Sequence, residues 1–73
     1  MLQSAVLPVE QTANYSRWQF NLSDGRDLEV TRACGAWSYG VLVYSETRGD
    51  WESFPITASE ARDYGVIPSM LIN

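Results

Sequence analysis

From Tyr15 onward, apolar and polar side chains alternate. In Tyr15–Leu22 (YSRWQFNL), Trp18, Phe20 and Leu22 fall on one side and Arg17, Gln19 and Asn21 on the other, the period of two expected of a half-buried strand. Asp27–Ala33 (DLEVTRA) repeats the pattern, with Leu28 and Val30 set against Asp27, Glu29 and Thr31. Between them lies Ser23-Asp24-Gly25, and side-chain parity selects the loop. A two-residue Asp-Gly turn would set Phe20 opposite Glu29. A three-residue loop with Gly25 in the left-handed region sets Phe20 opposite Leu28 and Trp18 opposite Val30, which keeps one face apolar. We therefore expect the three-residue hairpin, because a slip by one residue would scatter that face.

Ala36–Glu46 (AWSYGVLVYSE) departs from simple alternation: Trp37, Tyr39, Val41 and Val43 lie on one side, Leu42 and Tyr44 on the other. A strand apolar on both sides is expected to be central and covered twice, and Gly40 in its middle marks a bulge or the close approach of another backbone. Reading Thr47-Arg48-Gly49 as a second three-residue loop pairs Tyr44 with Glu52 and Leu42 with Phe54. This makes Trp51–Ile56 a fourth strand, with Pro55 near its end or on an edge. Thr57-Ala58-Ser59-Glu60 is a capping box, opening a helix of about two turns over Ala58–Tyr64 that Gly65 stops. Such a helix is too short to stand alone and must dock on the sheet.

The ends are less regular. Residues 1–14 carry Leu2, Val6, Leu7 and Val9 around Pro8 without a clear period, and are expected as an apolar arm, mobile or at best an edge strand. The tail VIPSMLIN is apolar, is expected to cover the sheet or complete an interface, and contains Met70, Leu71 and Ile72. With Leu2, Val6 and Leu7 these are candidate segments that become ordered on a partner. The expected architecture is α+β and mainly β: a small twisted antiparallel sheet of about four strands with one short C-terminal helix, residues 15–73 forming a single globular domain. A small, partly open β-barrel is the alternative.

Composition narrows the chemistry. In 73 residues there is no histidine, no lysine and one cysteine, Cys34. Absent are the side chain that titrates near neutrality and the usual Schiff-base nitrogen. One cysteine makes no internal disulfide, and without histidine there is no Cys/His zinc set. We expect no metal, no cofactor and no enzymatic activity. Cys34, with no histidine to act as its base, reads as a small buried thiol. The carboxylates Asp27 and Glu29, and Asp50 and Glu52, recur at strand period and read as a solvated face rather than an acid–base pair in a cleft. Arg48-Gly49-Asp50 spells the tripeptide of integrin ligands at an expected hairpin tip, but turn geometry and solvent exposure account for all three residues.

Net charge is −4 and the isoelectric point about 4.4. An acidic surface repels phosphate backbones and anionic membranes and attracts basic protein surfaces. The first basic residue is Arg17 and no long apolar run occurs, so neither a signal peptide nor a membrane span is expected, and the cytoplasm is the default location. Nine aromatic residues exceed what a minimal core easily buries. An exposed Trp51 or Trp37 rimmed by Glu46, Asp50 and Glu52, with Tyr39 and Arg48 beside them, would form an acidic–aromatic patch suited to protein recognition. Trp37, Tyr39, Glu46, Arg48, Asp50, Trp51 and Glu52 are thus the candidate partner-binding residues. The profile resembles small acidic inhibitors carried by phages and mobile elements, without any shared motif. It implies a monomer or weak homodimer that docks on a larger protein with a basic patch. RNA polymerase, where docking would regulate transcription, and nucleic-acid-guided defence complexes are the targets in view. The alternative is single-stranded nucleic acid stacking on the aromatic sheet face near Trp18, Arg17 and Arg32. The acidic field disfavours it.

Overall fold

A computed structural model describes residues 6–71. Alternation becomes a five-stranded antiparallel meander in the order β1-β2-β3-β4-β5. The strands are β1 (Glu10–Gln11), β2 (Tyr15–Asn21), β3 (Asp27–Ala33), β4 (Ala36–Ser45) and β5 (Asp50–Ile56). The extra strand relative to expectation is the short β1, which pairs Glu10 with Arg17 and Gln11 with Ser16. The sheet is open, with β1 and β5 at its two edges, so the barrel alternative is excluded.

The β2–β3 hairpin has the expected register: Trp18 opposes Val30 and Phe20 opposes Leu28. Its three-residue loop closes through Leu22 N–H to Arg26 C=O at 2.8 Å. Gly25 there has φ +91°, a conformation that costs an L-residue roughly 1–2 kcal/mol. The next connection is tighter. Ala33 pairs with Ala36, leaving only Cys34 and Gly35 between strands, both at positive φ (52° and 83°), as a type I′ turn demands. Cys34 is therefore exposed rather than buried: the apex of a two-residue hairpin has no interior to enter.

The β4–β5 hairpin corrects a second expectation. Ser45 pairs with Asp50, so the loop has four residues, Glu46 to Gly49, closed by Gly49 N–H to Ser45 C=O at 2.8 Å. The register moves by one. Tyr44 opposes Trp51, Val43 opposes Glu52 and Val41 opposes Phe54. Every β5 side chain consequently lies on the face opposite to the one the shorter loop implied. Pro55 occupies the edge strand, where a missing N–H need break no ladder bond.

One face is covered. Helix α1 (Ala58–Asp63) carries the full capping box: Thr57 Oγ1 accepts Glu60 N–H at 3.1 Å and Glu60 Oε1 accepts Thr57 N–H at 3.0 Å. Its C-terminus closes as a Schellman motif, with Val66 N–H donating to Ala61 C=O (3.0 Å) and Gly65 N–H to Arg62 C=O (2.8 Å), and Gly65 at φ +92°. This geometry turns Ala61 and Val66 together into a core with Trp18, Leu28 and Val30, against which Val6, Phe20, Tyr39, Ile56 and Leu71 also pack. Trp18 is wholly inaccessible, and its indole N–H donates to Val6 C=O at 3.2 Å.

Beyond α1 a 3₁₀ turn, Pro68–Met70, brings Leu71 alongside Val6 in a parallel bridge, with Val6 N–H donating to Met70 C=O at 2.8 Å. Leu2 and Ile72 lie outside the described residues, while Leu7 is exposed. The molecule measures 37 × 32 × 20 Å, and its short dimension equals one sheet plus one covering layer at about 10 Å each. Strand β4 is an interior strand, paired with β3 and β5, but among the described residues it is covered on one face, not two. A six-residue helix is too small to screen the whole of a ten-residue strand.

Candidate functional site

The opposite face of the sheet has no covering layer among the described residues. It presents Arg17, Gln19 and Asn21 from β2, Asp27, Glu29 and Thr31 from β3, and Ser38, Gly40, Leu42 and Tyr44 from β4. Trp51, Ser53 and Pro55 come from β5. Toward β1 it is a polar network: Arg17 donates to Glu10 (3.2 Å) and Glu29 (3.2 Å), and Gln19 donates to Asp27 (2.9 Å). The Glu10 hydrogen bond first, and Glu29 after it, raise the Arg17 pKa, and the network explains Asp27 and Glu29 as members of a satisfied surface lattice. Toward the β4–β5 tip it becomes apolar. Tyr44 and Trp51 meet edge to face at 5.5 Å between ring centroids, yet remain 50% and 45% exposed.

The expected acidic–aromatic patch divides between two faces and two ends. Trp51 is on the open face, whereas Asp50 and Glu52 alternate with it and project to the other side, opposite Ser45 and Val43. Trp37 and Tyr39 are also on the covered side, and at the far end of β4: seven residues separate Trp37 from Tyr44, about 24 Å at 3.4 Å per residue. Trp37 stacks on Trp18 at 5.5 Å with 23° between planes, and Arg32 lies over its ring at 5.6 Å. Trp37 thus seals the end of the core, and Tyr39 packs against that core. Arg17, expected beside Trp18, points away from it by strand alternation and belongs to the open face.

At the tip, Arg48 donates to Glu52 at 3.3 Å, Asp50 accepts Trp51 N–H at 2.7 Å, and Glu46 is exposed. Both charged groups of the Arg-Gly-Asp tripeptide are thus engaged within the hairpin. The Asp50 contact also matters for the edge. Trp51 N–H is occupied by a carboxylate and Pro55 has none, so two positions of β5 that could donate to an added strand are blocked. Phe54, on the covered side but beyond the reach of α1, is 49% exposed. The residue missed as a site member is Tyr44. The signal was loop parity, since an even-numbered connection centred on Thr47-Arg48 sets it opposite Trp51.

Two shallow depressions, of about 260 and 150 Å³, indent the surface, the larger beside Thr12–Ser16 and Cys34, the smaller over Gly40. Both fall below the roughly 300 Å³ at which small-molecule pockets begin. Among the described residues no cluster of three metal-ligating side chains occurs, and no helix is long and apolar enough to cross a membrane. No protein-family model, curated protein or solved structure matches this chain.

Proposed function

We propose that the protein is a non-enzymatic recognition module that docks on a basic surface of a larger protein through the open face of its sheet, with Tyr44 and Trp51 as anchors. The observation that carries this reading is the Tyr44–Trp51 pair: two large rings, packed on each other and half exposed, on a surface with surplus negative charge. Tryptophan and tyrosine dominate the energetics of protein interfaces, and the −4 charge speeds encounter with a cationic partner. The blocked β5 edge favours docking by face over strand addition and supports a monomer. The exposed thiol of Cys34 fits a reducing cytoplasm.

The partner class we propose is a nucleic-acid-handling protein, whose cationic surfaces exist to neutralise phosphate, and the mechanism is occlusion of that surface. RNA polymerase, with transcription regulated as a result, and nucleic-acid-guided defence complexes are such machines, and a phage-like inhibitor would act on them in this way. Direct binding of single-stranded nucleic acid has less support. Trp18 is buried, and the open face sets Glu10, Asp27 and Glu29 around its one strand arginine, Arg17.

Affinity capture from nuclease-treated lysates, comparing the parent chain with a Tyr44→Ala/Trp51→Ala variant, tests the proposal. A stoichiometric protein retained by the parent and lost by the variant supports it. A partner retained equally by both, or recovery of nucleic acid alone, refutes it.

A further inference from the structure

Gly40 lies in the middle of the open face, between Glu29 on β3 and Pro55 on β5. Its φ is not positive, unlike those of the four turn glycines, so turn geometry does not explain it. Space does. A Cβ at this position would stand 3.2 Å from Ser53 Oγ and 3.5 Å from Phe54 C=O, so any side chain would fill the depression that Gly40 leaves. That depression, about 150 Å³, is walled by Glu29, Thr31, Ser38, Ser53 and Pro55. It suits one side-chain head group, being too small for a typical ligand.

Its chemistry favours a cation. The walls offer one carboxylate and three hydroxyls, and no cationic side chain lines them. Arg17 reaches Glu29 from the side through Oε2 alone, at 3.2 Å, and is shared with Glu10. With Asp27 nearby, the strands of this face hold three carboxylates against one arginine. The charge shared among them is therefore incompletely balanced, in a setting less screened than open solvent.

We propose that the groove over Gly40 seats one arginine side chain of a protein partner, with Glu29 as its counter-charge. A guanidinium brings five donors and no acceptor, matching walls that accept, and its planar head lies flat in a shallow slot better than an ammonium does. Tyr44 is four residues along β4, about 14 Å away, so the partner presents its arginine and its apolar anchor at that separation. The inference rests on the protein-docking reading and adds the chemistry of what is recognised.

The test is a titration of the isotope-labelled full chain with a tetra-arginine peptide, followed by amide chemical shifts. A tetra-citrulline peptide, which has the same shape without the charge, is the control. Saturable shifts centred on Glu29, Gly40 and Ser53 with the arginine peptide alone are expected, weakened about tenfold by Glu29→Gln, as loss of a charged hydrogen bond implies. Because Glu29→Gln also disturbs Arg17, Ser53→Leu on the exposed edge strand is the second variant. It fills the groove without touching the core and should abolish the shifts.

Equal response to citrulline, shifts confined to Glu46 and Asp50, or binding that survives Ser53→Leu would overturn the assignment. If Tyr44→Ala/Trp51→Ala releases a captured partner while Glu29→Gln and Ser53→Leu keep it, the arginine seat is wrong and the docking face stands. If no protein is captured and no saturable shift occurs, both fall.

Discussion

The two long hairpins are built from similar material and end differently. In β2–β3, Trp18, Phe20, Leu28 and Val30 all turn to the side that α1, Val6 and Leu71 cover, and Trp18 is lost to solvent entirely. In β4–β5, Tyr44 and Trp51 sit on one side, Phe54 on the other, and all three stay about half exposed. The first hairpin spends its aromatic surface on folding, the second leaves it available. The difference has two sources: Tyr44 and Trp51 face the uncovered side of the sheet, while Phe54 lies past the reach of a six-residue helix that, with Val6 and Leu71, covers the other side.

The sharpest contrast is between the two tryptophans. Trp18→Ala removes a fully buried ring and a hydrogen bond to Val6, and is expected to cost about 3–5 kcal/mol, a large share of the stability of so small a domain. Trp51→Ala loses an edge-to-face contact, worth roughly 0.5–1.5 kcal/mol beyond the area it buries, and because the ring is already 45% exposed it should cost clearly less than Trp18→Ala. Urea denaturation of the two variants measures both. Equal losses would mean that the second hairpin is as much core as the first. The loop glycines come next, and there the hairpins should agree, because the penalty is local. Neither Gly25 nor Gly49 has a neighbour within 4 Å of an added Cβ, so Gly→Ala costs backbone strain alone, about 1–2 kcal/mol. Gly25 at φ +91° lies farther from the left-handed basin than Gly49 at +68° and should cost the more.

The same contrast explains what could be read in advance. The β2–β3 register was legible because a wrong one would bury Glu29 against Phe20, and burial makes that expensive. In β4–β5 neither side is well covered. Tyr44 opposite Glu52 and Tyr44 opposite Trp51 were both acceptable on paper, and nothing in the Glu46–Asp50 composition separated a three-residue from a four-residue loop. That single residue decided the site, placing Tyr44 with Trp51 and sending Glu52 and Asp50 to the other side. The helix was legible from Thr57, Glu60 and Gly65 because capping is local chemistry. The stacking of Trp37 on Trp18 was not legible, because the two rings come from strands that are not adjacent, although Trp37 keeps 37% of its surface exposed.

Smaller effects refine the picture. Thr57→Ala removes the cap of the helix that covers the first hairpin and is expected to cost about 1 kcal/mol. Circular dichroism melting should register it, with Trp18 emission shifting to the red if the cover loosens. Pairing Asp50→Ala, which removes the acceptor of Trp51 N–H, with Pro55→Val leaves folding within about 0.5 kcal/mol but restores two donors to the β5 edge. Sedimentation velocity should then show concentration-dependent association beyond that of the parent chain. A variant that associates no more than the parent would mean that twist or side-chain bulk, rather than the blocked N–H groups, protects this edge.

The smallest expected effect belongs to the tip of the first hairpin. Asp24 accepts the Arg26 guanidinium at 2.7 Å and the Arg26 N–H at 3.1 Å, and Arg26 in turn donates to the Tyr64 hydroxyl at 3.0 Å, tying the loop to the end of α1. The Arg26 side chain first, and its N–H second, hold the Asp24 carboxyl below its ordinary value of 3.8. A carboxyl depressed on folding stabilises the folded state fully above its unfolded value, and loses that contribution as pH falls through the lower, folded one. Asp24→Asn should therefore cost a constant small amount between about pH 5 and 8, and the gap from the parent should close as the solution is acidified below the ordinary carboxylate range. Because the pair is exposed, added salt should narrow the gap at neutral pH as well. A gap that widened on acidification would mean that Asp24 is ionised more readily in the unfolded chain, and that the loop-to-helix tie through Arg26 does not hold.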